Sequence, residues 1–289
     1  MTWGFVGLGQ MGLPMAQRLS AVTDVIAYDY KGRQYDGLKT AICPSEFGVC
    51  DVVVLCLPNG EVVEDMLFGE HGFAETLPRG ALVIDTSTTS HSTAGRVGAR
   101  LAERGLTFLD APVSGMQKRA EEGTLTMMVG GENAVLEQHR EKLRSVASKI
   151  LHVGPIGAGQ LAKLINQLLF DVNMAALAEI LPMSAKLGLD PDQVAEIVNS
   201  GTGRSHASEF FLPNILRGVF DKGYPMKAAY KDLIAGAEVT SENGFPAPVL
   251  AAATTTYQQA LAQGLGAQDK GAMIKVYEHL VGALFRSKK

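Results

Sequence analysis

The sequence of 289 residues is poor in cysteine and lacks the motifs of two common classes of hydrolase. Its three cysteines, Cys43, Cys50 and Cys56, form no C-x-x-C pair. Two of them lie around a predicted apolar strand, where buried free thiols are ordinary, and this favours a reducing compartment over a disulfide framework. Neither H-E-x-x-H nor G-x-S-x-G occurs, and the six histidines are scattered. The sequence therefore predicts no metal site and gives no support to a zinc protease or a serine hydrolase.

Long runs of one charge and long apolar runs are also missing. The net charge is −4, positive and negative side chains are mixed, and the basic run is limited to the terminal Lys288 and Lys289. A nucleic-acid partner is therefore not expected. No apolar run approaches the length that a membrane-spanning helix needs, and no basic region precedes the first apolar residues. From the sequence we expect a cytoplasmic protein with neither a signal peptide nor a membrane partner.

The glycine-rich stretch near the N-terminus is the most informative part of the sequence. An apolar run, Trp3–Val6, precedes Gly7, Gly9 and Gly12, and a helical pattern follows. Strand, G-x-G-x-x-G and helix in this order are the dinucleotide-binding fingerprint. Gly7 permits the tight turn, Gly9 lets the backbone approach a pyrophosphate, and Gly12 lets the helix pack on the strand. The loop residues expected to bind the cofactor are Gly7, Leu8, Gly9, Gln10, Met11 and Gly12.

Asp29 is a further expected cofactor-binding residue. It follows a predicted strand at 24–28 and lies about 20 residues beyond the glycine loop, where an acidic side chain accepts hydrogen bonds from the adenosine ribose. The same carboxylate repels the additional phosphate of NADP, so NAD is the predicted cofactor. Lys31 and Arg33 weaken this preference, and NADP remains an alternative. The simpler interpretation is that Asp29 only begins a polar loop.

Strands and helices alternate in the first half of the chain, which predicts βαβ units, a parallel sheet and a Rossmann-type α/β domain. The β-branched run at 51–57 is typical of a strand buried on both faces, and Ser45 is interpreted as a helix cap. Ligands bind such sheets at the carboxyl ends of the strands. Further strands are predicted at 81–85, 107–111, 124–129 and 150–153, and helices at 61–68, 92–104 and 133–146.

The composition changes at the glycine-rich segment 154–159, and no further strand is predicted beyond it. We predict two domains: residues 1–155 form the Rossmann domain, and residues 156–289 form an all-α domain built on one long helix. That helix, at 160–186, is apolar nearly all round, with Pro182 as a predicted kink. Its composition indicates a buried helix, and because a second subunit can cover it, we expect a homo-oligomer. Other predicted helices are Pro191–Ser200, 226–241, Pro248–Ala262 and 269–285.

Lys163 is the charged residue that does not fit the apolar pattern of the long helix. Asn166 and Gln167 follow at i+3 and i+4, so the three polar side chains share one side of the helix. Removal from water lowers the affinity of a lysine for its proton, which suits an acid or base near neutral pH. The alternative is a lysine whose stem packs while its head group reaches water.

Three other places combine polar groups with predicted ends or interiors of elements. Ser114 and Gly115 follow a predicted strand, and their hydroxyl and amide groups are suited to hold a carboxylate; an ordinary turn is the alternative. Lys118 and Arg119 come next and are either a solvated pair or a contact for a second acidic group of the substrate. Lys231 lies in a mostly apolar helix, where it either faces water or reaches over the cofactor.

Four motifs in the same order resemble the 3-hydroxyisobutyrate dehydrogenase family of β-hydroxyacid dehydrogenases, and the match covers essentially the whole chain. The first two are GFVGLGQMG at 4–12 and DAPVSG at 110–115, the latter followed by GTL at 123–125 and MVGG at 128–131. The others are GAG at 157–159 with KLINQ at 163–167, and KDL at 231–233. Four ordered motifs are far more specific than any one of them.

The resemblance implies a Rossmann domain, an all-helical second domain and a site in the cleft between them. It implies that Lys163 is the catalytic acid/base, that Ser114 and Gly115 hold the substrate carboxylate, and that Gln167, beside Asn166, orients the substrate. The additional cofactor contacts that it implies are Leu57, Pro58, Thr88 and Lys231.

Two departures from the family pattern bear on the substrate. Gln167 stands where many relatives have asparagine. Glutamine also occurs at this position in the branch that resembles tartronate semialdehyde reductase. Met116 stands where many relatives have a second glycine after the Ser-Gly pair. Tartronate, methylmalonate and succinate semialdehydes, and analogues with a sulfonate or phosphonate, therefore all remain candidate substrates.

The reaction implied by the resemblance is hydride transfer between C4 of the nicotinamide and the carbonyl carbon of an aldehyde acid. Two alternatives are an imine reductase on the same scaffold and a nucleotide-sensing module without turnover. A lysine that can protonate an oxyanion favours the hydroxyacid reaction over the first. The presence of both Lys163 and Asn166 goes against the second, which has no need of them.

Overall fold

The computed structural model describes residues 1–288, and the chain divides between Lys163 and Leu164 into two compact units. The first unit contains the sheet, and the second is helical. This division lies inside the long helix, whereas the boundary predicted from composition, between residues 155 and 156, lies just before the helix begins.

The sheet of the first unit has the strand order of a doubly wound α/β fold at its centre. Its strands are β1 (Trp3–Val6), β2 (Val25–Tyr28), β3 (Lys39–Thr40), β4 (Val52–Leu55), β5 (Leu82–Asp85), β6 (Thr107–Asp110), β7 (Val113–Ser114), β8 (Leu125–Gly130) and β9 (Ala147–Gly154). Within residues 1–288 they form one sheet in the order β3-β2-β1-β4-β5-β6-β8-β7, with β9 beside β8. From β3 to β6 all neighbours are parallel, which confirms the predicted α/β fold.

Beyond β6 the mostly parallel sheet becomes mixed, because β8 runs antiparallel to β6 and β7, whereas β9 is parallel to β8. Asp110 pairs with Gly130, and Val113 and Ser114 pair with Met127 and Thr126, all antiparallel. Strand β7 therefore prolongs the line of β6 past Pro112, and β8 returns beside both. Such a return needs no crossover connection, whereas a parallel pairing does.

Both faces of the central strands are buried, as the β-branched runs predict. Phe5, Val54 and Ile84 belong to the apolar cluster on one face, and Val53 and Val83 to the cluster on the other. The helices of this unit are α1 (Gly12–Ser20), α2 (Gly60–Phe68), α3 (His91–Ala102), α4 (Met116–Glu122) and α5 (Asn133–Leu143). Helices on both faces of a mainly parallel sheet are the expected cover for such strands.

The interpretation of Ser45 as a helix cap is wrong. A 3-10 turn spans Pro44–Val49, Cys43 occupies its N-cap position and Ser45 lies inside it. Proline at the first helical position explains the earlier start, because its fixed φ suits a first turn and its missing N–H is not needed there.

The second unit has its own apolar core and consists of helices. They are the rest of α6 (Ala158–Lys186), then α7 (Pro191–Ser200), α8 (His206–Leu216), α9 (Met226–Glu242), α10 (Pro248–Ala262) and α11 (Ile274–Val281). The sequence does not predict α8, whose Ser205–Ser208 capping box precedes an internal Pro213. The last predicted helix, 269–285, is shorter in the structure, because a 3-10 turn (Lys270–Met273) precedes α11 and Gly282 ends it.

Helix α6 is less buried than its composition suggests. The side chains of Ile165, Leu169, Ile180 and Met183 are all more than half exposed. By length and apolar composition α6 also qualifies as a membrane span. This differs from the expectation that no apolar run is long enough, because that expectation treated the isolated charges in the helix as interruptions. Core helices meet the same criterion, so this finding is weak evidence for a membrane.

Candidate functional site

The carboxyl ends of five parallel strands lie in one row. Val6 pairs with Tyr28 on one side and with Leu55 on the other, and the row continues through Asp85 to Asp110. The chain passes from β1 to β2 on one side and later crosses to β4 on the other, so β1 is the switch point of the sheet. The glycine loop therefore lies where folds of this type bind ligands.

Two of the three glycines in this loop are required by the protein itself. Gly7 has φ +98°, and a Cβ atom on it would lie 2.3 Å from the Cys56 carbonyl oxygen. A Cβ atom on Gly12 would lie 1.8 Å from the Gly7 carbonyl oxygen, so α1 packs against the turn only with glycine at its start.

Gly9 differs, because the protein does not explain it. A Cβ atom on Gly9 would meet no protein atom within 4 Å. Met11 is the N-cap residue of α1 and provides no side-chain cap for the first amides of the helix. Leu8 is buried in the core, whereas Gln10 is exposed. An open backbone next to a helix N-terminus without a side-chain cap fits a bound pyrophosphate, which would accept those amide hydrogen bonds.

Asp29 lies directly after β2 and is buried. Its Oδ1 accepts a hydrogen bond from the Lys31 amide at 2.8 Å, which leaves Oδ2 for a ribose hydroxyl. Lys31 and Arg33 are exposed, and the Lys31 ammonium lies 5.5 Å from the centre of the Tyr30 ring. The position and burial of Asp29 fit the acidic residue of the dinucleotide fingerprint.

The loops that follow β4 and β5 are joined by a buried serine. Ser87 Oγ accepts a hydrogen bond from the Leu57 amide at 2.8 Å, and the Ser87 amide donates to Asp85 Oδ1 at 2.9 Å. Burial raises the pKa of Asp85 to about 7, while the hydrogen bonds from Ser87 oppose the shift. Pro58 is exposed and Thr88 half-buried, each next to one of these anchored residues.

The start of α6 is attached to the same edge of the sheet. Asp110 Oδ1 accepts a hydrogen bond from the Gly157 amide at 2.7 Å, and Oδ2 accepts one from the Gln160 amide at 2.9 Å. The Gln160 side chain accepts from the Thr89 amide at 3.0 Å and donates to the Ser87 carbonyl oxygen at 2.8 Å. Sequence reasoning assigns no role to Asp110 or Gln160, because these partners are 47 to 73 residues apart along the chain.

Lys163 lies one helical turn after Gln160 and is only 7% exposed. Burial of nearly the whole residue goes against the alternative of a lysine whose head group reaches water. A buried lysine one turn inside a helix whose start is attached to the strand ends fits a proton donor or acceptor.

Ser114 and Gly115 are at a sharp change of chain direction. Ser114 is half-buried and pairs with Thr126 of β8. Gly115 has φ +144° and Met116 has φ +61°, so two consecutive residues adopt backbone conformations that favour glycine. The Met116 side chain is 41% exposed. The structure thus gives this segment an unusual backbone directly after the serine hydroxyl.

Lys118 and Arg119 both have protein partners. The Arg119 guanidinium donates to the Thr124 carbonyl oxygen, and so holds the end of α4 to the start of β8. Lys118 is exposed, with its ammonium 4.0 Å from the Glu122 carboxylate. These contacts favour a structural role for Arg119 and a solvated one for Lys118 over contact with the substrate.

In the second unit, the predicted substrate residue Gln167 is linked to an acidic residue. Gln167 Nε2 donates to Asp232 Oδ2 at 3.3 Å, and Asn166 Nδ2 lies 3.4 Å from Gln167 Oε1. Asp232 is buried, whereas its neighbour Lys231 and also Asn166 are exposed. Asp232 is a further candidate for the site. The sequence analysis includes it only as part of the motif at 231–233, and a carboxylate in a mostly apolar helix is the pattern that could have identified it.

In the part of the chain that the structure describes, residues 1–288, no group of three or more histidine, cysteine, aspartate or glutamate side chains is arranged to hold a metal ion.

Comparison with known protein families covers both halves of the chain. Residues 2–154 match the NAD-binding domain of 6-phosphogluconate dehydrogenase. Residues 157–277 match the NAD-binding domain of NADP-dependent 3-hydroxyisobutyrate dehydrogenase.

Individual relatives match over nearly their full length. The 2-(hydroxymethyl)glutarate dehydrogenase of Eubacterium barkeri is 38% identical over 96% of this chain and 95% of its own. The 2-hydroxy-3-oxopropionate reductase of Escherichia coli is 30% identical over 96% of this chain and 97% of its own. The crystal structure of a 3-hydroxyisobutyrate dehydrogenase from Salmonella typhimurium superposes with a TM-score of 0.85 at 30% identity, covering 96% of this chain and 99% of that one.

Proposed function

The chain belongs to the 3-hydroxyisobutyrate dehydrogenase family of NAD(P)-dependent oxidoreductases, and from this premise we propose that Lys163 is the general acid/base of a β-hydroxyacid dehydrogenase. The reaction class is that of the family, hydride transfer between a nicotinamide cofactor and a hydroxy acid. The observation that supports this role is the burial of Lys163 near the start of α6. Asp110 and Gln160 attach this start of the helix to the end of β6 and to the loop after β5.

The cofactor, when bound, supplies or accepts the hydride at C4 of its nicotinamide. The protein residues that fit it are the glycine loop and Asp29. The α1 amides and the open backbone at Gly9 take the pyrophosphate, and Asp29 Oδ2 accepts from the ribose. The Asp29 carboxylate also repels a 2′-phosphate, so we propose NAD as the preferred cofactor. Leu57, Pro58, Thr88 and Lys231 complete the proposed cofactor contacts.

Lys163 handles the proton of the reaction. When an aldehyde is reduced, Lys163 Nζ donates a proton to the oxygen that becomes the alcohol; in the reverse direction Nζ accepts it. Lys163 is only 7% exposed, so the proton is exchanged by a side chain that is largely out of contact with bulk water.

The proposed substrate is a small 3-hydroxy acid or the corresponding aldehyde acid. The Ser114 hydroxyl and the Gly115 amide hold its carboxylate, and Gln167, kept in place by Asp232 and next to Asn166, orients the reacting carbon. Relatives are named for 2-(hydroxymethyl)glutarate, a 3-hydroxy acid, and for 2-hydroxy-3-oxopropionate, an aldehyde acid. The aldehyde of the first and 2-hydroxy-3-oxopropionate itself are therefore the first compounds to test.

We propose further that the protein is a homo-oligomer. Ile165, Leu169, Ile180 and Met183 are large apolar side chains of one helix, and each is more than half exposed in the single chain. A second copy that covers this surface removes it from water, and symmetric association is the usual way for a chain to do so.

The decisive experiment measures NADH and NADPH consumption by the wild type and by Lys163→Ala with a panel of aldehyde acids. The panel contains the three semialdehydes named above and the aldehyde of 2-(hydroxymethyl)glutarate. We expect Lys163→Ala to lower kcat by about 10²–10⁴-fold, because a positioned acid/base contributes that much. NADH binding, followed by its fluorescence, should stay within about threefold, because the proposed phosphate contacts do not involve Lys163.

Lys186→Ala is the matched control, since Lys186 is an exposed lysine at the other end of the same helix. It should leave both kcat and NADH binding unchanged. A near-normal kcat in Lys163→Ala would remove this residue from the mechanism. Wild-type protein that binds NADH but turns over no aldehyde acid would instead direct attention to imines, or to a module that senses the nucleotide without turnover.

A further inference from the structure

The side chain of Gln160 connects three segments of the first unit. It is 2% exposed, and both ends of its amide are occupied: Oε1 accepts from the Thr89 amide and Nε2 donates to the Ser87 carbonyl oxygen. Ser87 in turn accepts from the Leu57 amide. The loop after β4, the loop after β5 and the first turn of α6 are therefore joined by consecutive hydrogen bonds.

The backbone of the same helical turn is anchored independently. The Asp110 carboxylate accepts from the amides of Gly157 and Gln160, and Asp110 is completely buried. Gly159 packs so closely that a Cβ atom there would lie 2.5 Å from the Met128 carbonyl oxygen. The helical turn that contains Gln160 therefore has little freedom to move relative to β6 and β8. Because the Gln160 side chain is hydrogen-bonded to the loop after β5, and through Ser87 to the loop after β4, it fixes the position of both loops relative to this turn.

Lys163 lies three residues after Gln160, whereas Leu57 and Thr88, two proposed cofactor contacts, lie on the loops that Gln160 holds. From this geometry we infer that Gln160 is a positioning residue, which sets the place of the cofactor-binding loops relative to the helical turn of the catalytic lysine. The inference rests on the proposed function for the role of Lys163. Gln160 itself exchanges no proton and no hydride; it acts through the amides and carbonyl that it holds.

The variants for the test separate the two hydrogen bonds from the volume of the side chain. Gln160→Met keeps the length and loses both bonds. Gln160→Glu keeps the acceptor for the Thr89 amide, but as a carboxylate it cannot donate to the Ser87 carbonyl oxygen. A protonated glutamic acid can donate there again. Gln193→Met, at an exposed glutamine of α7, is the control for the substitution itself.

For Gln160→Met we expect kcat with NADH and the best aldehyde acid to fall about 10²-fold, as for a misplacement of about 1 Å, while NADH Kd changes by less than about threefold. For Gln160→Glu we expect the ratio of its kcat to that of the wild type to rise as the pH falls, because protonation restores the donor. A purely structural role would lower the amount of folded enzyme but would not produce this pH-dependent rescue.

A second readout needs no turnover. Amide hydrogen exchange of the protein without cofactor should be about tenfold faster at Thr89 in Gln160→Met, because its hydrogen-bond acceptor is gone, and unchanged in the interior of β5. Unchanged Thr89 exchange, or faster exchange with a wild-type kcat, would overturn the inference. If the wild type turns over no compound, the proposed function fails. The role of Gln160 is then decided by two measurements on Gln160→Met, the exchange of the Thr89 amide and the fluorescence emission of bound NADH. A change in both supports the inference, and no change in either one rejects it.

Discussion

Met116 has an unusual backbone conformation for a residue with a long side chain. Among residues 1–288 it is the one non-glycine residue with positive φ, at +61°. In that region the Cβ atom approaches the following carbonyl oxygen, at a cost of about 1–2 kcal/mol for residues other than glycine. This strained residue directly follows the Ser114–Gly115 segment, which we propose to hold the substrate carboxylate.

Replacement of Met116 by glycine should therefore remove a backbone strain that replacement by alanine retains. We expect Met116→Gly to have a free energy of unfolding about 1 kcal/mol higher than Met116→Ala, because the alanine retains the Cβ atom that causes the strain. Urea unfolding of both variants measures the difference. Equal stabilities would mean that the left-handed conformation at this position carries no cost.

Asp171 of helix α6 forms a buried ion pair with Lys270 in the second unit. The Lys270 ammonium donates to Asp171 Oδ1, which also accepts from the Tyr257 hydroxyl at 3.0 Å, and both charged side chains are almost completely buried. Burial raises the pKa of Asp171, and the charge of Lys270 opposes that rise. Lys270 also lies 4.4 Å from the centre of the Phe170 ring. The pair joins α6 to the 3-10 turn that precedes α11.

Removal of one partner of this pair should be costly. We expect Lys270→Met to lower the free energy of unfolding by about 3–5 kcal/mol, because it leaves the Asp171 carboxylate buried without its counter-charge. Adding Asp171→Asn should recover part of the loss, since the amide is neutral and still accepts from Tyr257.

The control for this prediction is Lys118→Met, which breaks an exposed pair with Glu122 and should cost less than about 1 kcal/mol. Thermal and urea unfolding of the single and double variants provide the comparison. If Lys270→Met costs no more than Lys118→Met, the buried pair contributes no net stability.

At the scale of the whole molecule, the exposed apolar side chains of α6 predict association between copies of the chain. Light scattering should give a mass of at least two chains for the wild type. Leu169→Glu combined with Ile180→Glu should shift the protein toward the monomer, because each carboxylate would have to be buried in the interface. Val22→Glu, at an exposed apolar residue of the first unit, should leave the mass unchanged. A monomeric wild type would refute the proposed oligomer.

Much of this protein follows from short stretches of sequence. The glycine loop, the acidic residue after β2, the β-branched strands and the lysine in an apolar helix are all local patterns. Each depends on residues within one or two turns or strands, and local sterics, burial and backbone hydrogen bonding act over that range. The sequence therefore determines the α/β class of the first unit, the dinucleotide fingerprint and the candidate acid/base, Lys163.

Only the tertiary structure decides the features that depend on distant partners. Gln160 and Ser87 are 73 residues apart, and Lys270 and Asp171 are 99 residues apart, so no local pattern identifies either contact. The antiparallel return of β8 and the positive φ of Met116 likewise depend on how neighbouring strands and loops pack. Hydrogen bonds between groups far apart in the chain form only once the chain is folded. For that physical reason local sequence patterns do not predict them.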